Sequence, residues 1–225
     1  MSETKSLNHT LAEFQSNRAK TMDPEALRIN IDQRQLLVDT ADRSGFVKVG
    51  DKVDPFTLQE VGGAELSLWQ LLKTGPLVLV FFRFEGCPAC NIALPYYKAH
   101  LAPVVQELGA TLVAVSPQVP ERLVGIKERH NLDFQVATDF GNDLARKLGI
   151  LYSYDEPSRQ AALAKGTSIG DVTGTGTWEL PMPATIVIDQ TGTVRFANVS
   201  PDWLVRTEPE YVIEAIRLIS KRVAA

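Results

Sequence analysis

Alternation of short apolar strands with helix-length amphipathic segments predicts an α/β fold: a central mixed β-sheet flanked by helices, with an N-terminal helical extension. Three observations carry this expectation. From Gly50 onward, runs rich in β-branched and aromatic residues are followed by apolar residues at helical spacing, which implies parallel crossover units. A hairpin signal near the C-terminus adds antiparallel strands to the sheet. Residues 1–45, by contrast, carry only helical patterns.

A chain of 225 residues with 44% hydrophobic content can bury a full core. Its simplest division is a helical extension over 1–45 and one domain over 46–225, interrupted by an irregular insertion at about 150–180. The net charge of −4, with no basic patch, gives no reason to expect nucleic acid or an anionic membrane as partner. Met1 to His9 lacks the apolar core of a secretory signal, and no apolar run approaches the roughly 18 residues that span a bilayer. These features lead to the expectation of a soluble, cytoplasmic protein.

In the extension, Leu7, Leu11 and Phe14 recur at near-helical spacing, and Asp23-Pro24-Glu25 starts a second helix running through Ile29, Leu36, Leu37 and Val38. Such an apolar face can cap the protein's own core or pack against another subunit, as in a homodimer. Short strands are expected at 54–58 and 64–68 around Gly62-Gly63, then a helical turn at 69–73. A buried strand follows over Leu77–Phe84, bounded by Gly75-Pro76 and Gly86, with one long helix over 91–108. Further strands at 111–116 and 134–138 alternate with helices over 120–130 and 142–148. The hairpin joins 184–189 to 193–199, and a helix over 208–222 ends the chain. Residues 150–180 fit no regular element beyond a short helix near 158–164; their glycines suggest a mobile loop, either a functional lid or a tolerated surface insertion.

The two cysteines of the chain, Cys87 and Cys90, sit two residues apart where the buried strand turns into a helix. Cys87 falls at the helix N-cap and Pro88 at the first helical position, which proline favours. A thiolate at that N-cap can accept from free first-turn N–H groups and feels the positive end of the helix dipole, both of which depress its pKa. Cys87 is therefore the expected nucleophile. Cys90, one turn further in and less exposed, is placed to attack an oxidised Cys87. Other readings remain: half of a zinc site, although no second Cys-X-X-Cys exists and only His100 lies nearby; inert core thiols; or a structural disulfide, whose short loop stabilises little.

From about Val49 to the terminal helix the chain resembles the peroxiredoxin-like branch of the alkyl hydroperoxide reductase and thiol-specific antioxidant superfamily, which has a thioredoxin-like fold. The resemblance rests on Gly50-Asp51, Asp54-Pro55-Phe56, Phe82-Arg83, Cys87-Pro88-Ala89-Cys90-Asn91, Ser116-Pro117-Gln118, Leu180 to Thr185, and Val187-Ile188-Asp189 with Gly192. It implies a cis Pro183 facing the thiols, so that Pro183 and Pro88 border the substrate pocket, and a catalytic Arg83 four positions before Cys87. Arg83 can also serve a structural ion pair with Glu85 or Glu179. Val80 and Phe84 stand where typical peroxiredoxins carry a proline and a threonine, Gly86 stands where the branch often has tryptophan, and a further typical arginine is missing near Pro183.

The function implied is a thiol peroxidase without metal or organic cofactor. It would reduce hydrogen peroxide or alkyl hydroperoxides through a Cys87 sulfenic acid and a Cys87–Cys90 disulfide, with thioredoxin or glutaredoxin as external dithiol. A thioredoxin-like thiol-disulfide oxidoreductase and a non-catalytic redox-sensing module are the alternatives.

Overall fold

In the computed structural model, which describes residues 5–223, the chain begins with α1 (Leu7–Thr21) and α2 (Pro24–Thr40). The remainder of the 1–45 extension, residues 1–4, lies outside the described residues, as do 224–225. The path continues through β1 (Thr57–Glu60), β2 (Glu65–Ser67), α3 (Leu68–Leu71), β3 (Leu77–Phe81), α4 (Pro88–His100), α5 (Ala102–Glu107) and β4 (Thr111–Ser116). Next come α6 (Pro120–Arg129), β5 (Gln135–Thr138), α7 (Asp143–Lys147), β6 (Leu151–Ser153), α8 (Glu156–Leu163) and α9 (Ile169–Thr173). β7 (Glu179–Pro181), β8 (Ala184–Ile188), β9 (Val194–Val199) and α10 (Pro209–Val223) complete it.

Seven strands form the expected mixed sheet in the order β2-β1-β5-β4-β3-β8-β9. β3, β4 and β5 are parallel neighbours joined by helical crossovers, while β8 runs antiparallel beside β3 and pairs with β9 as the predicted hairpin. β3 is buried along its whole length because helices cover both faces of the sheet centre. Its side chains alternate: Leu77, Leu79 and Phe81 enter one core, and Val78, Val80 and the following Phe82 enter the other, which also holds both cysteines.

The single helix expected over 91–108 is two. Leu101 ends α4, and Pro103, which has no N–H to donate, sits in the first turn of α5 and restarts the helix on a new axis. Residues 150–180 are regular where a mobile loop was expected. β6 and β7 pair as a separate antiparallel sheet, α8 packs on α2, and a Ser168–Asp171 capping box starts α9. These elements are too short for their periodicity to stand out. Gly170 is required there, since a Cβ would sit 2.7 Å from the Gly176 carbonyl carbon.

The N-terminal helices cap the chain's own core. Leu7 and Leu11 are buried beneath α1, each contributing about 1.5–3 kcal/mol of burial. The Glu208 carboxylate, just before α10, accepts from the Leu7 and Asn8 backbone N–H groups at 3.0 and 2.8 Å, filling the free donors and favouring the positive end of α1. Asn8 in turn donates to the Arg206 carbonyl and accepts from its N–H. On α2, Gln33 accepts from the Trp203 indole at 3.3 Å, and Arg34 pairs with Asp202 at 3.4 Å. Two helices far off in sequence thus clasp the segment between β9 and α10. Among the described residues no helix is long and apolar enough to cross a membrane.

The peptide before Pro183 is trans, as are all peptide bonds among the described residues, which corrects the cis expectation. Met182 donates to the Ile150 carbonyl at 2.7 Å and Pro183 accepts from the Ser200 N–H at 2.8 Å. An extended path between β7 and β8 satisfies both bonds.

Candidate active site

β3 ends at Phe81, and the chain turns through Phe82–Gly86 into α4, so that Cys87 is the N-cap and Pro88 opens the helix. Three polar side chains hold this turn. Ser116, at the end of the neighbouring β4, donates to the Arg83 carbonyl at 3.0 Å, and the Gln118 amide oxygen accepts from Glu85 N–H at 2.7 Å. Asn91 donates to the carbonyls of Glu85 and Cys87 at 2.6 and 3.0 Å. The turn carrying the nucleophile is therefore fixed from both sides.

Both cysteines are free thiols and both are fully buried, which corrects the expectation that Cys87 is exposed. Their surroundings are polar nonetheless. A guanidinium nitrogen of Arg83, Nη1, lies 4.0 Å from Cys87 Sγ, and Nη2 of Arg206 lies 3.7 Å from Cys90 Sγ. Burial opposes ionisation of Cys87. The hydrogen bond from the Cys90 thiol, the charges of Arg83 and Arg206, and a weaker contribution from the Cys90 backbone N–H outweigh it and hold the pKa down to about 5. Cys87 makes no side-chain cap of full hydrogen-bond geometry on the first turn of α4, and the helix terminus contributes less than the Cys90 thiol and the guanidinium charges. Burial and the neighbouring Cys87 push the Cys90 thiol up, with Arg206 opposing. One thiolate and one thiol therefore share the site.

Arg83 makes no ion pair with Glu85 or Glu179, which bind Arg129 and Arg146 instead. Burial disfavours its charge, but the neighbouring tyrosine and cysteine side chains outweigh that and raise its pKa. It donates from Nη2 to the Tyr154 hydroxyl at 2.7 Å and lies 4.6 Å over the Trp203 ring, a cation–π contact. Its Nε is buried with no partner, leaving one donor free.

Arg206 escaped the sequence reading. It comes from the segment between β9 and α10, donates to the Trp203 and Val205 carbonyls, and supplies a second cation where an arginine near Pro183 was missing. No local pattern marks it, since its site is reached only through the clasp of α1. Tyr154, from the 150–180 insertion, was also missed, because it meets Arg83 across 71 residues of sequence.

A cleft of about 460 Å³ opens beside the thiolate, bordered by Arg83, Gly86 and Pro88. Cys87 does not itself line the cleft, but its chain neighbours Gly86 and Pro88 do. Pro183 is on the other side of the thiol pair, lining a void of about 10 Å³ with Tyr97 and Arg206. The structure thus brings together Cys87, Cys90, Arg83 and Pro88 and sets Pro183 away from the cleft. Among the described residues no group of three His, Cys, Asp or Glu side chains is arranged to hold a metal ion.

Comparison with known proteins agrees with this fold. The AhpC/TSA family model matches residues 49–197. Among solved structures, peroxidoxin BcpB from Mycobacterium tuberculosis superposes with a TM-score of 0.60 at 22% identity, covering 77% of this chain and 98% of that one. A peroxiredoxin-like protein from Aquifex aeolicus gives 0.60 at 17% identity over 77% and 88%. Reduced Prx3 of Vibrio vulnificus, solved in complex with hydrogen peroxide, gives 0.60 at 18% over 76% and 99%. The fold is accordingly thioredoxin-like.

Proposed function

The chain belongs to the AhpC/TSA family, an oxidoreductase family of thiol peroxidases, and from that premise we propose that it reduces hydroperoxides through the Cys87–Cys90 pair. The observation that carries this reading is a pair of buried cysteine sulfurs at the start of α4, one 4.0 Å from the Arg83 guanidinium and the other 3.7 Å from that of Arg206. The Cys87 thiolate attacks the terminal peroxide oxygen, the O–O bond breaks, and the departing oxygen takes up a proton as alcohol or water. Arg83 stabilises the charge that develops on that oxygen, and its free Nε is a donor for it. Cys87 is left as sulfenic acid.

Cys90 then attacks the Cys87 sulfur, hydroxide leaves and is protonated to water, and a disulfide closes. Arg206 favours the Cys90 thiolate in this step and again when Cys90 is the leaving group during reduction. An external dithiol of thioredoxin or glutaredoxin type restores the pair, with no metal or organic cofactor. Full burial of both sulfurs favours a hydroperoxide group, which is small at its reacting end, over a protein disulfide as oxidant; a protein reductant needs the first turn of α4 to unwind.

Peroxide consumption with dithiol reductants, measured on the native chain and on Cys87→Ser and Cys90→Ser, tests the scheme. Cys87→Ser should be inactive, and Cys90→Ser should accumulate a sulfenic acid that dimedone traps. Insulin reduction outpacing peroxide consumption would instead identify a thiol-disulfide oxidoreductase.

A further inference from the structure

The cleft above Cys87 is far larger than hydrogen peroxide needs, and this chain's own additions build much of it. Phe14, Arg18 and Ile29 from α1 and α2, together with Trp203, form one side, and all four lie outside the family-matched residues 49–197. α8 and α9 form the opposite side. At about 460 Å³ it falls in the range of sites that enclose organic ligands.

Its charge is one-sided. Arg18, Arg83 and Lys165 line it and no aspartate or glutamate does, in a chain whose net charge is −4. Arg18 and Arg83 flank Trp203, 5.7 and 4.6 Å from the ring. Arg18 donates to the neutral amide oxygens of Gln15 and Asn30, and none of the three cations has a carboxylate within 4 Å among the described residues. Arg83 is buried and faces the Cys87 sulfur, but half-buried Arg18 and exposed Lys165 have no counter-charge; such cations favour an anionic ligand, and guanidinium matches carboxylate best. Apolar walls between those cations suit a hydrocarbon chain.

We propose that the cleft binds the chain and carboxylate of an organic acid hydroperoxide, which is the preferred substrate over hydrogen peroxide. The inference rests on the peroxidase reading. The hydroperoxide group sits at the floor toward Cys87 and Arg83, and the carboxylate is held by Arg18 and Lys165. Attack on the terminal oxygen breaks the O–O bond, leaves Cys87 as sulfenic acid, and releases the hydroxy acid once its alkoxide is protonated.

Binding tests this without turnover. Full-length Cys87→Ser is titrated by calorimetry with linoleic acid and with methyl linoleate. The acid should bind at least about tenfold more tightly than the ester, the scale of one charge-assisted contact. Adding Arg18→Gln should bring the two close to parity. Ala162→Phe, which fills the cleft from α8, should weaken both, so the inference stays testable if either variant fails to fold. Equal affinity for acid and ester, no binding of the acid, or indifference to whichever of the two variants folds would overturn it. With the native chain and a dithiol, linoleic acid hydroperoxide should react at least about tenfold faster than its methyl ester, and faster than hydrogen peroxide. Consumption of hydrogen peroxide with no advantage for the acid defeats this inference and leaves the peroxidase reading standing; no consumption of any peroxide defeats both.

Discussion

Replacing Arg83 with methionine should raise the pKa of Cys87 by about two units, from about 5 to about 7. The guanidinium nitrogen lies 4.0 Å from the sulfur, and both groups are buried. At that distance and an effective dielectric of about 20, two unit charges attract by about 4 kcal/mol, or roughly three pK units. The charge is spread over the guanidinium and Arg206 remains, so roughly two-thirds of that bound is the expected loss. Methionine keeps the packing of the arginine stem on Trp203. The assay is ultraviolet thiolate absorbance against pH in a Cys90→Ser background, which retains a hydroxyl donor, with thermal unfolding to check the fold. A midpoint that moves by less than roughly half a unit would refute the assignment of Arg83 as a main source of the low value. The same titration links to stability. Because the folded pKa is depressed, the Cys87 thiolate stabilises the reduced protein fully above the ordinary value of 9.0, and that contribution fades as pH falls toward about 5. Cys87→Ser should lose this slope in denaturant unfolding.

Arg206→Met should slow resolution of the sulfenic acid roughly tenfold or more, since the Cys90 thiolate loses a charged donor at 3.7 Å; single-turnover disulfide formation measures it, and an unchanged rate would remove Arg206 from that step. Glu208→Ala should cost about 1–2 kcal/mol and make α1 more sensitive to protease, because the Leu7 and Asn8 N–H groups lose their acceptor; denaturant unfolding and limited proteolysis read both effects, and a protein as stable as the native chain would show that the clasp is idle.

How much of the site was legible depends on the range over which each feature is decided. The strand-turn-helix around Cys87 was readable because its causes are local: an apolar β-branched run, Gly86, and a proline at the first helical position. Arg83, four residues before Cys87, was readable for the same reason, through the motif it belongs to. The order of the two thiol pKa values was also readable: Cys87 is lowered and Cys90 raised, as expected along the helix start. The cause of those values was not, because the Cys90 thiol and then the guanidinium charges of Arg83 and Arg206 lower the Cys87 pKa more than the helix terminus does.

The amino-acid sequence by itself determined the alternating strands and helices, the mixed sheet and the placement of the cysteine pair after the C-terminal end of β3, because hydrophobic periodicity and turn residues act over a few positions. Only the tertiary structure decided that both sulfurs are buried, that Pro183 is trans, and that α1 and α2 close over this chain's own core. It alone brought Arg206, 116 residues beyond Cys90, to the Cys90 sulfur, and lined a cleft with cations and no acid. Burial and charge at a point are sums over everything that packs around it, and no local stretch of chain contains that sum.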